Sequence, residues 1–161
     1  MLARLGDVML EIENLSKEKI DSKNLEQIYE TMLARFCAQA NGELRLELLL
    51  VDSKASKELN RTHRSKDTPT DVLSFPLEVN LHSQAPQTLG SVVINMDLAK
   101  EVARKLGHST ESEVKLLFIH GLLHIFGFDH EVDNGEQRAQ EEELIKEFDL
   151  PKSLIVRAQE E

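Results

Sequence analysis

Residues 116–130 read Leu-Leu-Phe-Ile-His-Gly-Leu-Leu-His-Ile-Phe-Gly-Phe-Asp-His, and this segment decides the fold. Apart from its histidines, the first part is apolar almost all round, which predicts a buried helix. His120 and His124 are four residues apart, so a helix stacks them on one face. Gly127 is suited to end that helix, because without a Cβ it can adopt the left-handed conformation. The chain can then turn back and bring His130 to the same point.

Three imidazoles in this arrangement predict a metal site. Polar rings without partners would be costly in an apolar helix, and a bound metal satisfies them. Structural zinc sites are closed by four protein ligands, whereas three histidines leave a fourth position for water, as in catalytic sites. We therefore expect one Zn²⁺ per chain, held by His120, His124 and His130. Nickel or iron would also bind three imidazoles.

The rest of the chain alternates between strand and helix patterns. Strands are predicted at residues 7–13, 43–51, 71–76 and 90–94, and helices at 24–40, 53–63, 97–106, from 109 or 110 through the histidines, and 134–148. Asn41 and Gly42 are expected to end the first helix. Pro76 predicts an edge strand. Ser109 or Thr110, with Glu113 three residues after the latter, predicts a capping box. These elements predict an α+β (α/β-like) fold: a single mixed sheet of about four strands, with helices packed on it and a central, zincin-like metal-binding helix.

Length and composition predict one domain spanning residues 1–161. No apolar run approaches the roughly 20 residues that cross a bilayer, and the first residues lack the pattern of a secretory signal. Cys37 is the only cysteine, which suits a reducing compartment. We therefore expect a cytoplasmic protein that does not contact a membrane.

Charge is distributed unevenly along the chain. The formal net charge of −10 argues against a protein that coats nucleic acid through a bulk positive field, and no DNA partner is expected. Residues 54–66 nevertheless carry five Lys and Arg against a single Glu. Such a strip is either a solvated helix face or a local site for a polyanion, with Lys57, Arg61 and Lys66 as phosphate contacts.

The histidine spacing matches the pattern His-Glu-x-x-His-x-x-Gly-x-x-His of zinc peptidases, except that Gly121 stands where their general-base glutamate stands. Without that carboxylate, peptide hydrolysis is disfavoured. Phosphodiester hydrolysis needs electrostatic stabilisation of charged oxygens, which a metal and an arginine provide. Arg64 is the candidate, since a guanidinium grips two phosphate oxygens at once. From spacing alone, a surface arginine is the alternative.

Two segments resemble the YbeY family of rRNA maturation endoribonucleases. The hallmark of that family, His-Gly-x-Leu-His-Leu-x-Gly-Tyr-Asp-His, corresponds to residues 120–130. Residues 59–76, Leu-Asn-Arg-Thr-His-Arg-Ser-Lys-Asp-Thr-Pro-Thr-Asp-Val-Leu-Ser-Phe-Pro, correspond to a second family stretch. The chain departs from the family at His63, where a tyrosine usually precedes the arginine, and at Ser91, where an aspartate usually follows Leu-Gly.

The resemblance implies a zinc-dependent, single-strand-specific endoribonuclease that matures ribosomal RNA, notably the 3′ end of the small-subunit RNA, and takes part in ribosome quality control. It implies His120, His124 and His130 as zinc ligands, with Arg64 and His120 as the catalytic residues. Expected partners are single-stranded ribosomal RNA and, beyond it, ribosomal proteins or a ribosome-associated GTPase. Two other functions stay open: a metallopeptidase-type hydrolase with a base from outside the motif, and a non-catalytic, zinc-stabilised adaptor that binds the ribosome.

Overall fold

The structure is a computed structural model that describes residues 9–64 and 71–151, except for the side chains of His63 and Arg64. Within these ranges, strands and helices follow one another along the chain. The strands are β1 (Leu10–Asn14), β2 (Leu44–Val51), β3 (Val72–Pro76) and β4 (Gln87–Asn95). The helices are α1 (Ser22–Phe36), α2 (Ser53–Arg64), α3 (Met96–Leu106), α4 (Thr110–Ile125) and α5 (Glu136–Phe148).

The four strands form one mixed sheet in the order β1-β2-β4-β3. β1, β2 and β4 run parallel to one another, and β3 pairs antiparallel with β4. The predicted α+β fold with a single mixed sheet is thereby confirmed. β3 lies at an edge, as Pro76 predicts, because proline has no N–H to donate to a further strand.

The sheet buries both of its faces, and alternate residues of each strand point to opposite sides. Leu46, Leu48 and Leu50 of β2 face the larger core, which α1, α3 and α4 cover. Val51 and Val93 point the other way, into a smaller cluster against α2. The two-layer burial explains why β2 becomes continuously apolar at its end instead of alternating.

Helix α4 is central to the larger core. It packs on β3 and β4, and α1, α3 and α5 all pack against it. Eleven of its 16 residues are buried, so the prediction of a central helix is confirmed. None of the helices among the described residues has the length and apolar character required to span a membrane.

The end of the first helix was predicted wrongly. α1 ends at Phe36 instead of residue 40, and the chain after it is held by a bond from the Asn41 N–H to the carbonyl oxygen of Leu81. The adjacent Gly42 leaves no room for a Cβ, which would lie 2.7 Å from the backbone oxygen of Ser83. Residues 7 and 8 of the predicted first strand lie outside the described residues.

The start of α4 agrees with the first of the two caps that the sequence offers. Its N-cap is Ser109, whose Oγ accepts a hydrogen bond from the Ser112 N–H. The carboxylate of Glu113 is buried and lies 2.7 Å from Nε2 of the partly buried His108.

Candidate metal centre

His120 and His124 lie on the same face of α4, with ring centroids 5.0 Å apart. Their four-residue spacing produces this proximity directly, since such residues are neighbours on a helix surface. The His120 side chain is almost buried, whereas that of His124 is half-buried. The helix therefore delivers two imidazoles to one point close to the protein surface.

The chain reverses immediately after α4. Gly127 has φ of 98°, a conformation that glycine adopts without the steric cost of a Cβ. Its N–H donates to the carbonyl oxygen of His124 at 3.0 Å, and the Phe128 N–H donates to that of Leu123 at 2.9 Å. These bonds satisfy the last helical carbonyls and turn the chain back towards the histidine face.

The reversal brings the third histidine to the other two. The ring centroid of His130 lies 5.3 Å from that of His120 and 5.7 Å from that of His124. One nitrogen from each ring lies within 4.8 Å of the corresponding nitrogens of the other two. The structure thus brings together all three residues that the sequence predicts as ligands.

The protonation and bonding of these rings suit a cation. Nδ1 of His120 lies 2.8 Å from Oε2 of the buried Glu141, so Nε2 is the nitrogen left to bind a metal. Burial, assisted by the neighbouring imidazoles, lowers the pKa of His124 and keeps its lone pair available near neutral pH. Nδ1 of His130 is buried and has no hydrogen-bond partner among the described residues. The cluster could therefore hold one metal ion with nitrogen ligands.

The three rings open into a cavity of about 510 Å³. Part of its wall comes from the edge strand, where Val72, Ser74 and Pro76 alternate along β3. Another part comes from the segment around the reversal after α4, including Phe128. The predicted ligands therefore lie in a pocket of a size that admits a substrate group.

Carboxylates dominate the charge of this cavity. Asp71, Asp129 and Glu131 all line it, and no Lys or Arg does so among the described residues. Burial raises the pKa of Asp71 above its ordinary range, and the nearby His120 opposes this shift. Without a bound cation, the described part of the wall is therefore repulsive to an anionic group.

Gly121 stands where a zinc peptidase has its glutamate, and packing explains the glycine. A Cβ at this position would lie 2.9 Å from Cγ1 of Val92, 3.1 Å from Oγ of Ser74 and 3.2 Å from Cγ2 of Val72. Position 121 thus lies in close contact with β3 and β4. A glutamate side chain cannot be accommodated there without moving the helix.

Two positions singled out in the sequence lie apart from this geometry. Arg64 is the last residue of α2, and its side chain lies outside the described residues, so its catalytic role stays a prediction. Ser91 does not line the cavity. Its hydroxyl donates to Oε2 of Glu47 on the neighbouring strand at 3.3 Å, where it has no role in the histidine cluster.

Sequence analysis missed two residues that contact the histidines, both on α5. Glu141 bonds to the ring of His120, and Oε1 of Gln137 accepts a hydrogen bond from the backbone N–H of His130 at 2.9 Å. Both side chains are fully buried. Their spacing of four residues, in line with Leu144, was the available signal, because it marks the inward face of an otherwise acidic helix.

Comparison with known proteins agrees with this geometry. The sequence model of the family described as Endoribonuclease YbeY matches residues 11–149. Proteins of that name include one from Campylobacter jejuni (strain RM1221), 61% identical over 116 residues, 72% of this chain and 84% of that protein. One from Helicobacter pylori (strain Shi470) is 51% identical over 152 residues, 94% of this chain and 100% of that protein. The solution structure of TM1509 from Thermotoga maritima has a TM-score of 0.57 at 30% identity, covering 86% of this chain and 88% of that chain. This chain therefore belongs to the Endoribonuclease YbeY family.

Proposed function

We propose that this protein is a zinc-dependent endoribonuclease that cuts single-stranded RNA in the maturation of ribosomal RNA, notably at the 3′ end of the small-subunit RNA, and in ribosome quality control. Membership of the family makes it a hydrolase of RNA phosphodiester bonds. The observation that carries the zinc dependence is the convergence of three imidazole nitrogens within 4.8 Å of one another in an open cavity.

The proposed ligands are His120, His124 and His130. A zinc ion bound to three imidazoles supplies Lewis acidity: it lowers the pKa of a coordinated water to about 7 and polarises a phosphoryl oxygen. The protein contributes the preorganised position of the rings, so the ligands need little rearrangement to bind the ion. His120 is the most buried of the three. Its ring is held by Glu141, so its Nε2 is left to bind the metal at the cavity.

Arg64 is proposed to bind the non-bridging oxygens of the scissile phosphate and to stabilise the negative charge that develops on them. The charge of the cavity supports a cationic partner of this kind. Asp71, Asp129 and Glu131 would repel an RNA phosphate, so productive binding requires positive charge from the metal and from a side chain such as that of Arg64.

Peptide hydrolysis is not favoured by this site. A zinc peptidase uses a carboxylate at the position after its first histidine to move a proton from water to the leaving amine. Gly121 occupies that position and contacts the sheet, with no space for a larger residue. Hydrolysis of a phosphodiester depends mainly on electrostatic stabilisation of the charged oxygens in the transition state.

The proposal extends to the cellular context. The proposed location is the cytoplasm, where ribosomal proteins or a ribosome-associated GTPase would bring the enzyme to its substrate. Residues 1–161 are proposed to form a single domain, supported by the one sheet that joins all described strands.

The histidine centre is the only group of three metal-binding side chains among the residues that the structure describes.

Two measurements test the proposal: the zinc content of the purified protein, and cleavage of an RNA oligonucleotide offered single-stranded or paired with its complement. We expect about one zinc per chain and cleavage of the single strand. His124→Ala should lose zinc and activity together. Arg64→Ala should keep zinc but cleave about 100-fold more slowly, on the scale of losing one charge-stabilising group.

The matched control is Arg104→Ala, which removes an exposed arginine from α3 and should cleave at the wild-type rate. Casein hydrolysis without RNA cleavage would overturn the proposal in favour of a peptidase. Equal cleavage by the wild type and by His124→Ala, purified in the same way, would show that the RNA cleavage does not come from this centre. Activity of Arg64→Ala at the wild-type rate would remove the arginine from the mechanism.

A further inference from the structure

The inward face of α5 contains two polar side chains where apolar ones are expected. Gln137, Glu141 and Leu144 follow one another at helical spacing, and each is 0% exposed. A buried carboxylate and a buried amide are costly unless they are hydrogen-bonded. The hydrogen-bond partners of Gln137 and Glu141 therefore show what this face of α5 contributes to the rest of the protein.

Both polar residues contact a residue of the histidine cluster. Oε2 of Glu141 lies 2.8 Å from Nδ1 of His120. Oε1 of Gln137 accepts the backbone N–H of His130 at 2.9 Å. One turn of α5 thus holds the ring of the first histidine, and the preceding turn holds the main chain of the third.

The two contacts fix what the geometry of α4 alone does not fix: the orientation of the His120 ring and the position of His130. A carboxylate at Nδ1 fixes the proton on that nitrogen, directs the Nε2 lone pair outward and restricts rotation of the ring. His130 lies beyond the helix, after the reversal at Gly127, so its position depends on contacts made by the loop. His124 lies on α4 itself, and its ring also interacts with the backbone of Phe128 just after the helix.

We propose that Glu141 and Gln137 are positioning residues of the metal centre, so that metal binding and the docking of α5 stabilise each other. This inference rests on the metal site of the proposed function. A metal ion that binds only the assembled cluster must stabilise every contact needed for assembly. Conversely, loss of the α5 contacts must weaken metal binding while leaving all three ligands in the chain.

The affinity of the protein for Zn²⁺, measured by competition with a chromophoric chelator, tests the role of Glu141. Glu141→Ala should lower the affinity 10–100-fold, the usual loss when an outer partner of a ligand histidine is removed. Glu141→Gln keeps an acceptor for Nδ1–H and should recover part of that loss. The control is Glu143→Gln, the same change at an exposed position of the same helix, which should bind Zn²⁺ like the wild type.

The absorption spectrum of the Co²⁺-loaded protein separates positioning from general stability. Glu141→Ala should change the ligand-field bands because the ring of His120 is no longer held, whereas a purely structural residue would lower the melting temperature and leave the bands unchanged. Wild-type affinity and wild-type bands in Glu141→Ala would overturn the inference alone. Failure of the wild-type protein to bind either ion would overturn the proposed metal site and the inference with it.

Hydrogen exchange of the wild-type protein keeps the test decisive if Glu141→Ala does not fold. Addition of Zn²⁺ should slow amide exchange in α5 (Glu136–Phe148) by more than tenfold relative to α1 (Ser22–Phe36). The reason is that α5 contacts His120 and His130 through the side chains of Glu141 and Gln137. Equal protection of α5 with and without Zn²⁺ would show that the helix docks independently of the metal, contrary to the inference.

Discussion

The hydroxyl of Ser74 on β3 donates a hydrogen bond to the carbonyl oxygen of Gly121 on α4, 2.9 Å away. This contact joins the edge strand to the helix between His120 and His124. The edge strand also forms part of the cavity wall. The bond therefore fixes the wall relative to the proposed ligands.

Ser74→Ala removes that bond and should lower the free energy of unfolding by about 0.5–1.5 kcal/mol, the net value of one such hydrogen bond. Urea unfolding measures the difference. Ser91→Ala is the control, because its exposed bond to Glu47 is 3.3 Å long and should change stability by less than about 0.5 kcal/mol. Equal losses in the two variants would contradict a special role for the contact between Ser74 and Gly121.

Gly121→Ala should destabilise the protein despite the higher helix propensity of alanine. The new Cβ would lie 2.9 Å from Cγ1 of Val92, and overpacking of this kind costs about 1–3 kcal/mol, against a gain of up to about 1 kcal/mol from propensity. Gly121→Glu should fail to fold and should not acquire peptidase activity. Thermal unfolding checks both variants, and a Gly121→Ala variant as stable as the wild type would mean that α4 can move away from the sheet.

The buried Glu113 pairs with the partly buried His108 at the start of α4, with 2.7 Å between Nε2 and Oε1. His108→Ala leaves the buried carboxylate without this partner and should cost about 1–3 kcal/mol of stability. His82→Ala removes an exposed histidine and should have little effect on chemical denaturation. A His108→Ala variant that unfolds at the same urea concentration as His82→Ala would show that the pair adds nothing.

The buried carboxyl of Asp71 predicts a specific dependence of stability on pH. Because burial raises its pKa above the ordinary value of 3.8, the folded chain retains a proton that the unfolded chain releases as pH rises above 3.8. The folded state then binds more protons, so the contribution of Asp71 to stability falls with rising pH until the folded pKa is passed. Asp71→Asn cannot titrate and should lose this component.

Unfolding free energies of the metal-free protein, measured in chelator at several pH values, check this dependence. The stability of the wild type relative to Asp71→Asn should decrease as pH rises from 3.8 and then level off. Glu143→Gln provides the control for the loss of one exposed carboxylate. A constant difference between the wild type and Asp71→Asn over the whole range would contradict the raised pKa.

Removal of the metal should weaken RNA binding as well as cleavage. The cavity wall carries the carboxylates of Asp71, Asp129 and Glu131, and their repulsion of phosphate is no longer offset. Fluorescence anisotropy with a labelled single-stranded oligonucleotide at fixed salt measures the affinity, since salt alone shifts it strongly. Equal affinity before and after chelation would assign RNA binding to a surface away from the cavity.

Local spacing was enough to predict the central features of the site. The convergence of the three rings could be predicted from one short segment. The i, i+4 spacing of His120 and His124 is a property of a single helix, and the glycine before His130 is a property of its end. Family resemblance added the endoribonuclease activity. The edge position of β3 followed in the same way from Pro76, because a missing N–H is a local property.

Contacts between distant segments could not be predicted in this way. Glu141 lies 21 residues after His120. Its spacing from Leu144 indicates that it points inward, but nothing in the sequence states that it meets a histidine of α4. The bond from the Asn41 N–H to the carbonyl oxygen of Leu81 likewise joins the segment after α1 to a distant part of the chain. Such pairings depend on how whole elements pack.

The amino-acid sequence by itself determined the three imidazoles, their order on one helix and the turn that reunites them, because backbone periodicity controls the direction of nearby side chains. Only the tertiary structure decided that the carboxylate of Glu141 holds His120 and that Asp71 faces the same cavity. It also decided that Gly121 is required by contact with the sheet. These features arise where separate helices and strands meet. Which residues contact one another there is decided by the free energy of burying the apolar faces together, not by spacing along the chain.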